Sequence, residues 1–483
     1  MGNNSLLLLL APELVLTAGG LAILLAGLIW RRKESYRPLV SVAAAVGLVA
    51  LGVSLLSTVG AGLPQGMFVG DRLTSYIRVL AAATTVLSLV LALSRPQLGN
   101  EFPALLLFAT LGITLAAGAS NLVMIYVAIE LLSITCYVLA GLFRDEARSN
   151  EAALKYFFYG AAASAVMVYG ASFLFGLAGS LDLVVIAEAL SGTGAAGARW
   201  VAMPALILVM VGLGFKVAAV PFHQWSPDVY EGAPTPVTAY LSVGPKLAGF
   251  AVLLRVLAAL PAVRAEAAVV VAVLAVLSMT VGNLVALSQS SLKRMLAYSS
   301  IAQAGYMLIG ASVLAREGSR APGGSAALLV YLLTYAVTNL GAFAVVQAVE
   351  ERAGSDDIKA YAGLGQRSPG LAAALVFFFL SLVGIPPMAC FLGKLFVFGA
   401  AINAGAYWLA AVGVANSVIS LAYYFRVVRV MYFEAPGEAA AAGAVPVNLR
   451  LAVTVSWAGT LGLIALAAPV IAWAENAVIR LLP

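Results

Sequence analysis

Charge is what this sequence has least of. Lysine and arginine number 27 and aspartate and glutamate 21, so charged residues make up 10% of 483 positions, where a soluble globule carries roughly 25%. With 63% hydrophobic residues, that excludes an ordinary water-soluble domain and defines a multi-pass membrane protein. Cysteine is almost missing. Cys136 and Cys390 stand far apart in apolar runs, and no CxxC or Cys/His cluster exists to hold an iron–sulfur centre, zinc or haem. The only histidine is His223. The glycines lie inside apolar runs, which excludes a dinucleotide-binding loop. The net charge of +6 is scattered over short loops, as membrane topology requires, and makes no nucleic-acid surface. Long polar segments are missing too. The stretches near 178–200, 350–369 and 433–449 are too short for a soluble domain, so 1–483 reads as one membrane domain.

What is present is a succession of apolar runs. A ~20-residue window resolves about fourteen, at 5–30, 38–59, 72–94, 102–119, 120–142, 152–177, 201–222, 235–259, 265–288, 295–314, 325–349, 370–404 (broken), 406–432 and 450–475. The run 5–30 is too long for a signal-peptide core, and its basic cluster follows it, so it is expected to be a retained span. Segment 181–190 is too short to cross and is expected at an interface. The 46 glycines suit close helix packing in lipid. Arg31, Arg32, Lys33, Arg37, Arg95, Arg144, Arg148, Lys293, Arg294, Arg352, Lys359 and Arg367 fall on one side by alternation. Chiefly Arg72, Arg199, Arg264, Arg316, Arg320 and Arg480 fall on the other. The richer side is expected to be cytoplasmic, with both termini outside. The Ala/Gly-rich stretch 435–446 reads as a flexible connector.

The exceptions to this apolar background carry the chemistry. Lys216 and Lys246 sit inside spans, where a charge costs ~3 kcal/mol or more. Between them lie Pro221, His223, Asp228 and Glu231. A third lysine, Lys394, follows Gly384-Ile-Pro386-Pro387 within another apolar run. Proline removes a backbone donor and breaks the helix, and in lipid the freed groups survive only where protein or a wet cavity covers them. Two interrupted spans, each within a few residues of a buried lysine, mark a transporter fold with inverted repeats. Tyr156 and Tyr331 open aromatic spans at similar distances before Lys216 and Lys394, a weak echo of that repeat.

Glu130 lies mid-span with Tyr126, Ser133 and Tyr137 on its helical face, a polar stripe that suits a carboxylate paired with a lysine of a neighbouring span. Lys155, near a span start, is either a relay or a snorkelling cation. His223 is either a relay or a hydrogen-bond partner of a helix end. Tyr298, Ser299 and Gln303 extend a wet path. Lys293 and Arg294 read most simply as topology anchors. Asp228 and Glu231 are either a proton intake or a helix cap, and Glu13 and Arg255 read as packing or snorkelling. Burial moves lysine and glutamate towards neutral-pH titration, and a nearby opposite charge restores the ionised form. A file of such groups bridged by water and hydroxyls passes protons across a membrane.

Three strings carry a resemblance: Pro221-Phe-His-Gln-Trp-Ser-Pro-Asp-Val-Tyr-Glu-Gly-Ala-Pro-Thr-Pro236, Leu292-Lys-Arg-Met-Leu-Ala-Tyr-Ser-Ser-Ile-Ala-Gln-Ala-Gly-Tyr306, and Gly384-Ile-Pro-Pro387 with Gly393-Lys394. In these the chain resembles the antiporter-like membrane subunits of respiratory complex I, over nearly its whole length. The resemblance implies an all-α fold of about fourteen transmembrane helices with two inverted five-helix repeats, each with one broken helix. N-terminal helices would span 1–101, the repeats 102–259 and 265–432, and a C-terminal helix 450–483. It further implies a proton path through Glu130 at a subunit interface, Lys216 on the first broken helix, Lys246 at the centre and Lys394 on the second broken helix. Relatives carry histidine where this chain has Gln303, which leaves the link from Lys246 to Lys394 to water and to Tyr298 or Ser299. NADH, flavin, iron–sulfur clusters and quinone would belong to partner subunits. The partners would be other membrane subunits of the complex, antiporter-like neighbours included, in a bacterial cell membrane. The alternative is a subunit of an Mrp-type cation/proton antiporter.

Overall fold

A span in lipid must satisfy its own backbone, and helices do so within one segment. The computed structural model describes residues 7–30, 33–56, 66–191, 195–318, 323–435, 444–479 and 481. Arg31, Arg32, Arg320, Arg480 and 436–443 of the expected connector lie outside the described residues. In chain order the helices are α1 (Ala11–Ile29), α2 (Tyr36–Leu56), α3 (Arg72–Ala92), α4 (Phe102–Gly118), α5 (Leu122–Ala140), α6 (Ala147–Ala178), α7 (Leu183–Ala189), α8 (Ala195–Val217), α9 (Trp225–Gly232) and α10 (Thr235–Ala258). They continue with α11 (Arg264–Ala286), α12 (Leu292–Glu317), α13 (Gly323–Ala353), α14 (Leu364–Arg367), α15 (Pro369–Val383), α16 (Ala389–Asn403), α17 (Tyr407–Phe433), α18 (Val447–Ala465) and α19 (Ala467–Ala477). The described residues hold no strand, so the protein is an all-α polytopic membrane protein.

Polar caps set where helices begin. Asp71 accepts from Thr74 N at 2.9 Å, Asn121 from Val123 N at 2.9 Å and Ser291 from Arg294 N at 3.1 Å, each satisfying an orphan donor of a first turn. Among the described residues, eleven helices are long and apolar enough to cross a membrane. Of the other expected spans, α4 has 17 residues, α15 and α16 are two halves of 15 residues each, and α12 is diluted by Ser299, Ser300, Gln303 and Tyr306. The packing has an axis. The apolar stretch of α10 is 100% buried and that of α13 89%, whereas α1 and α6 are 28% buried and α18 22%. Lys246 therefore lies on the most enclosed helix of the molecule.

Two backbone bridges occupy matching places in the two halves. Leu122 N donates to Leu181 O and Leu183 N to Ser120 O, both at 2.9 Å, while Leu292 N donates to Asp356 O and Ile358 N to Ser290 O, both at 2.8 Å. Each bridge ties the start of one helix (α5, α12) to the chain just after the next (α6, α13). Glycine contacts match as well. A Cβ on Gly112 would lie 2.8 Å from Leu132 N, and one on Gly282 2.7 Å from Ala302 N, so α4 meets α5 and α11 meets α12 at backbone distance.

Ion pairs join helix ends that alternation places on the same face. At one face Arg95 meets Glu351 at 2.9 Å and Arg294 meets Asp228 at 2.5 Å. At the other, Arg255 meets Asp71 at 2.8 Å, and Arg199 pairs with Glu266. Neither Glu13 nor Arg255 snorkels. Glu13 receives Arg78 Nε at 2.8 Å and Nη2 at 2.6 Å. Arg255 is fully buried and donates to Ala117 O at 2.9 Å, Leu481 O at 3.0 Å, Asp71 at 2.8 Å and Thr74 at 3.1 Å. The planar guanidinium satisfies several acceptors at once, and snorkelling would strand the carboxylates.

The first break follows α8. Ala218 turns the chain with φ 59°, Ala219 N donates to Gly214 O at 2.8 Å, and Val220 N to Ser278 Oγ of α11 at 2.9 Å. Trp225 Nε1 covers Phe215 O at 3.1 Å. The second break follows α15 at Gly384, φ 86°, a left-handed position suited to glycine. There Ile385 N reaches Leu380 O at 3.1 Å. The Val220–Pro221 and Pro386–Pro387 bonds are cis. Ser278→Ala strands the Val220 N–H, and we expect a loss of about 1–3 kcal/mol, read as an earlier thermal transition of the detergent-solubilised protein. An unchanged transition would mean the break is satisfied some other way.

Candidate functional site: three buried lysines and their neighbours

Lys216, Lys246 and Lys394 are 2%, 1% and 3% exposed, and none has a carboxylate within ion-pair distance among the described residues. Lys216, in the last turn of α8, donates to Ser133 Oγ of α5 at 2.6 Å. Lys246 of α10 donates to Ser300 Oγ of α12 at 2.7 Å. Lys394 of α16 reaches back across the second break to Val383 O at 2.7 Å, and its ammonium lies 4.3 Å from the centre of the Tyr306 ring. That carbonyl belongs to the C-terminal end of α15, where a helix offers partial negative charge to a cation. The stem of Lys394 fills the space beside Gly384, where a Cβ would come within 2.7 Å of Cδ.

Hydroxyls and amides link these centres. Ser300 Oγ also accepts from Tyr335 OH at 2.8 Å and lies 3.3 Å from Tyr230 OH of α9. Three residues along α12, Gln303 donates to Leu382 O at 2.9 Å and accepts from the Tyr331 hydroxyl. One face of α12 therefore carries the partner of Lys246 and a residue bound to Leu382 O, the carbonyl next to the one that holds Lys394. Ser299 meets Tyr424 OH at 2.5 Å. Tyr298 is half-buried and is not brought to this line.

The other residues singled out from sequence lie around it. Glu130 is half-buried on α5 and accepts from Ser164 of α6. The structure thus puts a serine on Glu130 and another on Lys216, with no direct ion pair between the two. Lys155 meets Asp228 and Glu151 at 2.6 Å each. The two acids border a polar cavity of about 140 Å³, with Arg148, Glu231 and Arg294 in its wall. Asp228 and Glu231 cap no helix there; both pair with Arg294, at 2.5 and 3.0 Å. Lys293 is no exposed anchor: it is buried and donates to Ala233 O at 2.8 Å, because the carbonyl at the end of α9 needs a donor. His223, after the first break, keeps Nδ1 buried without a partner among the described residues. Sequence reasoning missed Ser300, Tyr335 and Ser164. Ser300 adjoins Ser299 in the string already noted, and only α12's rotation decides which serine meets Lys246.

Buried lysines on or beside interrupted helices of an all-α bundle define the antiporter-like class of membrane subunits. Residues 119–420 match the family described as NADH:quinone oxidoreductase/Mrp antiporter, TM, and the chain belongs to that family. It is 45% identical to NAD(P)H-quinone oxidoreductase subunit 2 of Thermosynechococcus vestitus over 434 residues, 88% of this chain and 82% of the relative. It is 43% identical to NADH-quinone oxidoreductase subunit N 2 of Symbiobacterium thermophilum over 448 residues, 88% of this chain and 87% of the relative. Among solved structures, a chain of respiratory complex I from Thermus thermophilus superposes with a TM-score of 0.80 at 34% identity, covering 95% of this chain and 98% of that one. A chain of the Mrp complex from Dietzia sp. DQ12-45-1b gives 0.86 at 21% identity, over 99% of this chain and 98% of that one, a likeness of fold alone.

Proposed function

We propose that this chain is a proton-translocating membrane subunit of an NADH–quinone oxidoreductase, of the kind called subunit N. The observation that carries the reading is a division of labour among buried cations. The buried arginines, Arg78 and Arg255, are paired with Glu13 and Asp71, and arginine does not titrate in proteins. Among the described residues, Lys216, Lys246 and Lys394 meet serine hydroxyls, a carbonyl and aromatic rings, and no carboxylate at ion-pair distance. A lysine so held gives up its proton without leaving a carboxylate unpaired. The first group is structural charge and the second is mobile charge.

The route runs from Lys216 to Lys246, along the Ser300–Gln303 face of α12, and on to Lys394. Lys155 and its acid partners form a polar mouth, and Glu130 faces a neighbouring subunit. Protons would pass between Lys216 and Lys246 through water. The matched bridges support repeats at 102–259 and 265–432, and the loop charges support termini on the outer side of a bacterial cell membrane. Electron transfer from NADH through flavin and iron–sulfur clusters to quinone belongs to partner subunits. This chain supplies the proton path that the redox reaction drives.

The test is Lys216→Ala in the assembled complex, reconstituted in vesicles and driven by NADH. Proton uptake and the coupled quinone reductase rate both fall, while the subunit content of the complex is unchanged. Full uptake in an intact complex would falsify the role given to Lys216.

A further inference from the structure

We infer that the groove between α11, α12 and the start of α17 binds an anionic phospholipid. The groove encloses about 350 Å³. Small side chains, Ala265, Ala268 and Ala272 among them, line it together with Trp408 and Arg316. These residues lie towards the ends of their helices that alternation places on one face. Trp408 is 56% exposed, and an amphipathic indole in such a place belongs at the depth of lipid headgroups. The wall's serine is already committed, since Ser312 Oγ donates to Ala268 O at 2.9 Å. That leaves Arg316 as the polar group with donors to offer.

Charge complementarity selects the occupant. At this face Arg255 is neutralised by Asp71 and Arg199 by Glu266, and the exposed Arg264 lies against Gly318, outside the groove's lining. Arg316 is exposed and has no hydrogen-bond or ion-pair partner among the described residues, the adjacent Glu317 included. A free guanidinium in an apolar, alanine-lined slot fits a molecule with a phosphate at one end and a hydrocarbon chain at the other. Guanidinium matches phosphate in a bidentate fork. A soluble anion would leave the slot unfilled, and a neutral hydrocarbon would leave the cation bare. A neighbouring subunit over the same groove is the competing occupant, and the test distinguishes it.

The assembled complex is delipidated in detergent and titrated with phosphatidylglycerol or phosphatidylcholine, and bound lipid is counted by native mass spectrometry. Wild type minus variant cancels every other lipid site. The parent complex holds one lipid at this site with a preference of about five-fold for phosphatidylglycerol, as one basic residue near the surface allows. Arg316→Gln keeps a lipid but loses the preference. Ala265→Trp, at an exposed position of α11, fills the slot and loses the lipid. The proposal is overturned if Arg316→Gln retains both count and preference. It is equally overturned if Ala265→Trp releases a neighbouring subunit and leaves the lipid count unchanged.

Discussion

Lys246→Ala is expected to abolish NADH-driven proton uptake in an assembled, reconstituted complex. The expected drop is at least about ten-fold, since loss of one positioned proton-transfer group costs that much or more. Three features place the effect here. Helix α10 is wholly enclosed, so no outside water stands in for the lost amine. Lys246 lies between the two broken helices, with Gly249 of the same helix packed against Lys216, where a Cβ would lie 3.4 Å from the lysine's own. Its hydroxyl partner Ser300 sits on the face of α12 that leads to Gln303. Lys246→Met keeps the packing and loses the proton, so it should fail like alanine, whereas Ser300→Ala should fall less because it leaves the titrating amine in place. Vesicle uptake measured beside the electron-transfer rate decides the matter. Normal uptake by a complete Lys246→Met complex would reduce this lysine to a packing charge.

The second large effect is on stability. Arg78 and Glu13 are 2% and 4% exposed, and Arg78→Met leaves the Glu13 carboxylate buried without its cation. Breaking one side of such a pair costs about 3–5 kcal/mol, while replacing both sides with apolar groups of similar size is often neutral. Arg78→Met should therefore lower the thermal midpoint sharply and reduce the amount of assembled complex. The double variant Glu13→Leu/Arg78→Met should recover most of both. Complexes that do assemble should pump with an unchanged ratio of protons to electrons. A single variant as stable as the parent would show that Glu13 is protonated or solvated instead.

These two residues also show what the sequence disclosed. Lys216, Lys246 and Lys394 stand out in one dimension because an intramembrane charge is costly and rare, and the prolines beside two of them betray the breaks. Nothing in the sequence singles out Arg78, and Arg255 reads there as packing or snorkelling. The acids that neutralise them are 65 and 184 positions away, a separation that only helix packing closes. Hydroxyls were the hardest to read. Serine and tyrosine are common in membrane helices and cost little, so nothing in the string around Ser299 says that Ser300 is the one to meet Lys246. Lys293 and Arg294 are adjacent and chemically alike, yet one is buried against a backbone carbonyl and the other joins the acid cluster on α9. Their fates differ because neighbours on α12 point about 100° apart.

Ser300 has one hydrogen and two lone pairs to share among three neighbours. While Lys246 is an ammonium it must donate, and when the single Tyr335 hydrogen lies on Ser300 rather than on Ser242 O both lone pairs are taken and the serine hydrogen is left to point at Tyr230. Once Lys246 is an amine it offers a lone pair of its own, and the same hydrogen can swing round to it. The direction of a single O–H bond would therefore follow the protonation state of Lys246. Tyr230, which meets that bond, sits on the short helix that also holds Asp228 and Glu231, the acids of the polar cavity.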